Sequence, residues 1–134
     1  IKEYGDLPLI ECYAGQLNQV FMNILTNAID ALEEMMKQEL GDFIPTIKIS
    51  TEVLEHNQVM IRITDNGPGM TEEVKKKLFD PFFTTKSIGK GTGLGMAISY
   101  QIIEKHGGKL WYDSEPGKGA EFLIQIPVQQ NLDV

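Results

Sequence analysis

The sequence predicts an α/β (α+β) two-layer sandwich: one mixed, mostly antiparallel five-stranded sheet with about three helices on one face. Three observations carry this expectation. A long helical period begins at Leu17, two pairs of alternating runs are each joined by a short turn, and a second helical run starts from a glycine-rich stretch between those pairs. The resulting order, β-α-β-β-α-loop-α-β-β, fits a single sheet with helices on one side.

Taken in order, residues 7–12 (LPLIEC) read as a short strand entering the first helix. In that helix Leu17, Val20, Phe21, Ile24, Leu25, Ala28, Leu32, Met35 and Met36 recur at helical spacing, and Gly41 and Pro45 close the segment. "TIKISTEVLE" and "QVMIRITDN" alternate around His56-Asn57 and read as an antiparallel hairpin. Thr71, followed by Glu72-Glu73, opens a short helix to about Leu78 as a side-chain N-cap. Residues 79–92 show no period and read as a long loop, a length usually kept for function. From Gly93 a helix resumes through Leu94, Ala97, Ile98, Ile102 and Ile103 and stops at Gly107-Gly108. "KLWYDS" and "AEFLIQIPV", joined by "EPGKG", form a second hairpin.

Composition bounds the possibilities. At 134 residues, with 42% hydrophobic and 23% charged residues, the chain is expected to be one globular domain spanning 1–134. No apolar run approaches the ~20 residues of a membrane helix, so no membrane contact by this domain is expected. The chain opens on Ile1 rather than Met, so a fragment of a longer protein is expected. The single Cys12 excludes an internal disulfide and fits a reducing, cytoplasmic compartment. A net charge of -7 argues against nucleic-acid binding. Yet residues 75–118 hold eight of the twelve basic residues against four acidic ones, a local +4. That is either solvated lysine scatter or an attractor for a small polyanion.

Four stretches carry chemistry. On the long helix Gln16, Gln19, Asn23, Asn27, Asp30 and Glu34 fall on the stripe opposite the apolar arc. This is either a solvated face or, through the side-by-side amides of Asn23 and Asn27, a neutral ligand pair for Mg²⁺ beside a triphosphate. In "ITDNGPGM" Asp65 ends a strand and Gly67 and Gly69 flank Pro68. It is either a plain strand-to-helix turn or a place where Asp65 accepts from an exocyclic amine and a flat base lies on bare backbone. "FDPFFTTK" joins Phe79, Phe82 and Phe83 to Thr84, Thr85 and Lys86, as hydrophobic anchors or as the seat of a lid with Lys86 on phosphate. In "GKGTGLGMAIS" Gly91, Gly93 and Gly95 lie where loop becomes helix, suited to phosphate oxygens approaching backbone amides. Gly89-Lys90 is followed by Gly91, so this is no Walker loop, and the glycine spacing fits no dinucleotide fingerprint. His56, in a turn, and His106, at a helix end, read as surface or capping histidines.

In this order the stretches resemble the catalytic ATP-binding domain of two-component sensor histidine kinases. "QVFMNILTNAIDAL" is similar to the N box and "DNGPGM" to the first glycine box. "FDPFFTTK" is similar to the F box, "GKGTGLGMAIS" to the second glycine box and "GKGAEFLIQIP" to the closing strand motif. The resemblance covers about Leu9 to Val128 and implies a Bergerat-type (GHKL) sandwich with a flexible ATP lid over residues 80–92. It implies ATP and Mg²⁺ as cofactors, with Asn27 on the metal and Asn23 beside it near the phosphates, these two also being the catalytic pair. The nucleotide-contacting set it implies is Asn23, Asn27, Asp30, Asp65, Gly67, Gly69, Met70, Phe82, Thr85, Lys86, Gly91, Thr92, Gly93, Leu94 and Gly95.

Related ATPases carry a Glu four residues before the metal-binding Asn, where it activates water. Here that position is Asn23, and an amide is no general base at neutral pH. The resemblance therefore implies γ-phosphoryl transfer to a histidine on a separate dimerisation and phosphoacceptor domain, then to a response regulator receiver domain, with ADP left behind. Two positions depart from the family pattern: Asp30, where many sensor kinases have a basic residue, and Ala120, where the family often has Ser or Thr. Rival expectations are an ATPase conformational switch, a Ser/Thr-directed anti-sigma-like kinase and a non-catalytic nucleotide sensor.

Overall fold

A computed structural model of the chain describes residues 1–5, 9–10, 12–38, 41, 43–80 and 95–129. Eight elements follow one another: β1 (Lys2–Glu3), α1 (Ala14–Gln38), β2 (Ile47–Leu54), β3 (Gln58–Asp65), α2 (Glu72–Lys77), α3 (Gly95–Lys105), β4 (Lys109–Ser114) and β5 (Ala120–Pro127). The sheet order is β1-β2-β3-β5-β4, antiparallel except for the short parallel β1·β2 pair. The mixed five-stranded sheet and the element order match the sequence expectation.

One boundary differs. The first strand is Lys2–Glu3, whereas Leu9, Ile10 and Cys12, the described part of the strand expected over 7–12, lie outside any strand. A two-residue strand shows no alternation for a sequence pattern to catch. It is held instead by pairing with β2, where the Ile1 amino group donates to Ile47 O at 2.8 Å and Gly5 N–H to Thr51 O at 3.0 Å. Of the 7–12 stretch, Ile10 packs against the core while Leu9 points into solvent.

The core forms where α1 and α3 cover one face of β3, β5 and β4. Val20, Ile24, Val59, Ile103 and Ile124 are wholly shielded from water, and each such side chain contributes about 1.5–3 kcal/mol of apolar burial. The three-residue β2–β3 turn takes positive φ at His56 (62°) and Asn57 (58°), left-handed positions in which His and Asn are enriched. At α2, Thr71 Oγ1 accepts the Val74 N–H at 3.2 Å, the expected N-cap.

Two side-chain readings that the sequence left open are narrowed. Asn23, Asn27 and Asp30 do not form a solvated stripe; they are half-buried. The open face of α1 instead shows Met22, Ile29 and Met36, the last expected in the apolar arc. A helical projection assumes one partner, but α1 packs on both β3 and α3 and so is flanked on two sides. His106, expected at the surface or as a cap, is 1% exposed. Its Nε2 accepts the Tyr13 N–H at 3.0 Å, so it caps the start of α1 from the end of α3. An Nε2 that accepts leaves the ring proton on Nδ1, which donates to Ile102 O at 2.8 Å.

Candidate functional site

The site is laid out along α1. At one end, Asn23 reaches α3: its Nδ2 donates to Gly95 O at 3.0 Å and to Ser99 Oγ at 3.1 Å. Two turns later Ala31 lies against the turn after β3, where a Cβ on Gly67 would come 3.5 Å from the Ala31 Cβ. Asn27 stands midway. At 1.5 Å rise per residue the amide end and the turn end are about 12 Å apart along the helix axis. Asp30 is half-buried on the same helix, next to Ala31.

Asp65 sits at the last position of the central strand β3, paired with Ile47 on one side and Ala120 on the other. It is 7% exposed, and its Oδ1 accepts the Gly67 N–H at 2.8 Å. Burial raises its carboxyl above the ordinary value, and the N–H groups of Gly67 and Ala120 pull part of the way back. A carboxylate kept out of water at a strand end, with backbone N–H groups as its donors among the described residues, is poised to accept a further donor.

The turn beyond Asp65 is braced from behind. Gly69 has φ +75°, and a Cβ there would sit 2.1 Å from Glu115 O. Gly119 has φ +82°, and a Cβ there would sit 2.1 Å from Asp65 O. Thus the first and last glycine motifs meet: the β4–β5 turn lies on the backbone of residues 65–69. Gly117 N–H donates to Pro68 O at 2.7 Å, and Met70 N–H donates to Ser114 Oγ at 2.8 Å. Ser114 in turn donates to Gly119 O at 2.7 Å. Asn66 faces the other way, its Oδ1 accepting from Thr46 N–H and its Nδ2 donating to Ile44 O. The bareness of Gly69 therefore serves packing, and Gly67 is the glycine adjoining α1.

Of the sequence-predicted residues, Asn23, Asn27, Asp30, Asp65, Gly67, Gly69, Met70 and Gly95 are described, and Met70 packs against the core. Phe82, Thr85, Lys86, Gly91, Thr92, Gly93 and Leu94 lie outside the described residues, as does the 81–92 part of the expected lid. Phe79, at the start of that segment, packs on Tyr100 and Tyr112 with ring centroids 5.0 and 5.6 Å away, a hydrophobic anchor. Of the six described lysines of the basic segment, three are seen engaged, apart from one another. Lys75 pairs with Glu72, Lys118 with Glu115, and Lys105 lies over the Tyr13 ring. Sequence reasoning missed Ser99 and Ser114, both buried. The signal was present for Ser99: a hydroxyl on the face that Met96, Ile102 and Ile103 make apolar.

Comparisons place this geometry. The family described as histidine kinase-, DNA gyrase B-, and HSP90-like ATPase matches residues 13–130. Sporulation kinase E of Bacillus subtilis (strain 168) is 45% identical over 128 residues, covering 96% of this chain and 16% of that protein. Sensor kinase CckA of Brucella abortus (strain 2308) is 39% identical over 127 residues, covering 91% of this chain and 13% of that protein. The chain thus spans about a sixth or less of these curated relatives. Among solved structures, the nucleotide-free catalytic domain of histidine kinase ThkA superposes with TM-score 0.75 at 35% identity, covering 96% of this chain and 77% of that one. Full-length ShkA in complex with AMPPNP superposes with TM-score 0.77 at 25% identity, over 97% of this chain and 26% of that one. With a family match over most of its length, the chain belongs to the histidine kinase-, DNA gyrase B- and HSP90-like ATPases, and the relatives and solved structures above that it resembles are kinases, among them a histidine kinase catalytic domain.

Proposed function

We propose that this chain is a single catalytic domain that binds Mg-ATP along α1 and transfers the γ-phosphoryl group to a histidine on a separate phosphoacceptor domain. One observation carries the choice of kinase over ATPase switch: Asn23, at the position a water-activating Glu would hold, points its amide nitrogen at Gly95 O and Ser99. The residue at that position is an amide and not a proton acceptor of carboxylate strength, so it is unsuited to activating water. An external imidazole, already nucleophilic when neutral, needs no base. Its nitrogen attacks the γ-phosphorus, the bond to the β–γ bridging oxygen breaks, and ADP leaves with that electron pair.

Asp65 is suited to the adenine amino group, since its buried carboxylate can accept one more N–H. Gly67, where a Cβ would meet Asp65 Oδ1 at 2.9 Å and Ala31 Cβ at 3.5 Å, lets the turn close tightly around the Asp65 carboxylate at the base end, with the phosphates toward Asn27, Asn23 and Gly95. Lys86, Thr85, Phe82, Thr92 and the glycines at 91 and 93 would complete the phosphate side and the lid. Among the described residues no three His, Cys, Asp or Glu side chains converge. Mg²⁺ needs only one or two protein oxygens when phosphates and water supply the others, and the Asn27 and Asn23 amide oxygens fit that part. When bound, Mg²⁺ would neutralise charge on the transferring phosphates. The likeness to a kinase solved with AMPPNP supports a triphosphate ligand.

The receiver domain of a response regulator would take the phosphoryl group next, in the cytoplasm. No helix among the described residues is long and apolar enough to cross a membrane. The test adds γ-labelled ATP to this chain with and without a cognate phosphoacceptor domain. Acid-labile label on a histidine of that domain is the expected result; rapid ATP hydrolysis by the chain alone would favour the ATPase switch.

A further inference from the structure

We infer that Ser99 is a positioning residue that locks the Asn23 amide with its nitrogen toward α3 and its oxygen toward the nucleotide. The inference rests on the nucleotide reading above. Ser99 is wholly buried on the core face of α3, where a hydroxyl needs partners. It has two: it donates to Gly95 O at 2.8 Å and accepts from Asn23 Nδ2 at 3.1 Å.

Only one direction of these bonds satisfies all three groups. A serine hydroxyl has one proton, and here it lies on Gly95 O, so toward Asn23 the oxygen can only accept. Gly95 O is likewise only an acceptor, and it takes the other Asn23 N–H at 3.0 Å. A flipped amide would set Oδ1 against Gly95 O, and the single Ser99 proton could then serve only one of those two oxygens, leaving the other without a donor. Both amide protons are thereby committed to α3. Oδ1 remains beside the first residue of that helix, 3.7 Å from where a Gly95 Cβ would be. Asn23 thus offers a ligand only its oxygen, the atom a hard cation or an ordered water on the phosphates would use. The same three groups tie that oxygen to the first turn of α3, so a shift of this turn moves the ligand atom with it.

The test measures Mg-ATP affinity of the 134-residue chain by titration calorimetry, with the Asn23 side-chain amide followed by NMR. Ser99→Ala is expected to weaken Mg-ATP binding about 5-fold, the equivalent of one buried hydrogen bond, and to shift the Asn23 amide signals. In an Asn23→Ala background the same substitution should change affinity no further, because the two act as one unit. Ser99→Thr, which keeps the hydroxyl, should restore both readouts and guards against a mere packing effect. Equal weakening in both backgrounds, or unchanged affinity in a folded Ser99→Ala chain, would overturn the inference. Unaltered Asn23 amide signals in Ser99→Ala would overturn the lock itself, whereas a wild-type chain that binds no ATP would sink the nucleotide reading and the proposed purpose of the lock.

Discussion

Asp65 shows how one residue divides between stability and function. Its carboxyl is pushed up by burial, so ionising it opposes folding. The sign follows: a raised folded-state value means a contribution fully present below the ordinary carboxylate range, near 3.8, and lost as pH rises through the raised value. Asp65→Asn cannot ionise and loses nothing over that interval. Urea unfolding of the ligand-free chain should therefore show the variant gaining on the wild type as pH climbs from 3 to 7. A pH-independent difference would contradict the burial argument. In the same variant ATP binding should fall roughly 10- to 100-fold, the value of a hydrogen bond to a charged acceptor. A chain at least as stable as wild type at neutral pH, yet poor at binding, separates the adenine contact from any structural duty.

Among the elements, the β4–β5 turn and the turn after β3 act as one unit, and their glycines differ in kind. Gly117, at φ +81°, has nothing within 4 Å of a would-be Cβ, so Gly117→Ala should cost only the left-handed strain, about 1–2 kcal/mol. Gly69→Ala and Gly119→Ala add a collision with backbone oxygens at 2.1 Å that no rotamer change relieves. Each should cost roughly 3 kcal/mol or more, and chemical denaturation of the three variants checks the ranking. Equal costs would mean that the two turns do not brace each other. The hairpins, the α2 cap and both long helices were legible because period and turn chemistry are local properties. The meeting of Gly69 with Glu115 was not, since contact across 46 positions leaves no trace in spacing. Nor was the burial of Asn23 and Asn27, because a projection of α1 cannot know that a second helix lies alongside. Of the site, residue types at Asp65, Gly67 and the two asparagines were readable; the serine that orients Asn23 was visible only as a polar residue on an apolar face.

At the scale of the molecule, the elements that line the site are also those that share the core. α1 lends Val20 and Ile24 to the core and Asn23 and Asn27 to the site, β3 lends Ile63 and Asp65, and α3 lends Ile103 and Gly95. A ligand spanning all three therefore binds only when they are assembled, and its binding free energy adds to global stability. At 100 times its dissociation constant Mg-ATP should add about 2.7 kcal/mol, a rise in Tm on the order of 10 °C for a chain of this size. Because one core joins the elements, the scan should show one transition that moves as a whole. A ligand held at one end alone, for instance by stray phosphate contacts, would stabilise Asp65→Asn as much as the wild type. The expectation is the reverse: the shift nearly vanishes in that variant and shrinks without Mg²⁺, since the proposed base end is read from Asp65 on β3 and the phosphate end from Asn23 and Asn27 on α1. A full shift in Asp65→Asn, measured by differential scanning calorimetry at matched nucleotide concentration, would mean that the nucleotide does not lie along α1 in the orientation argued.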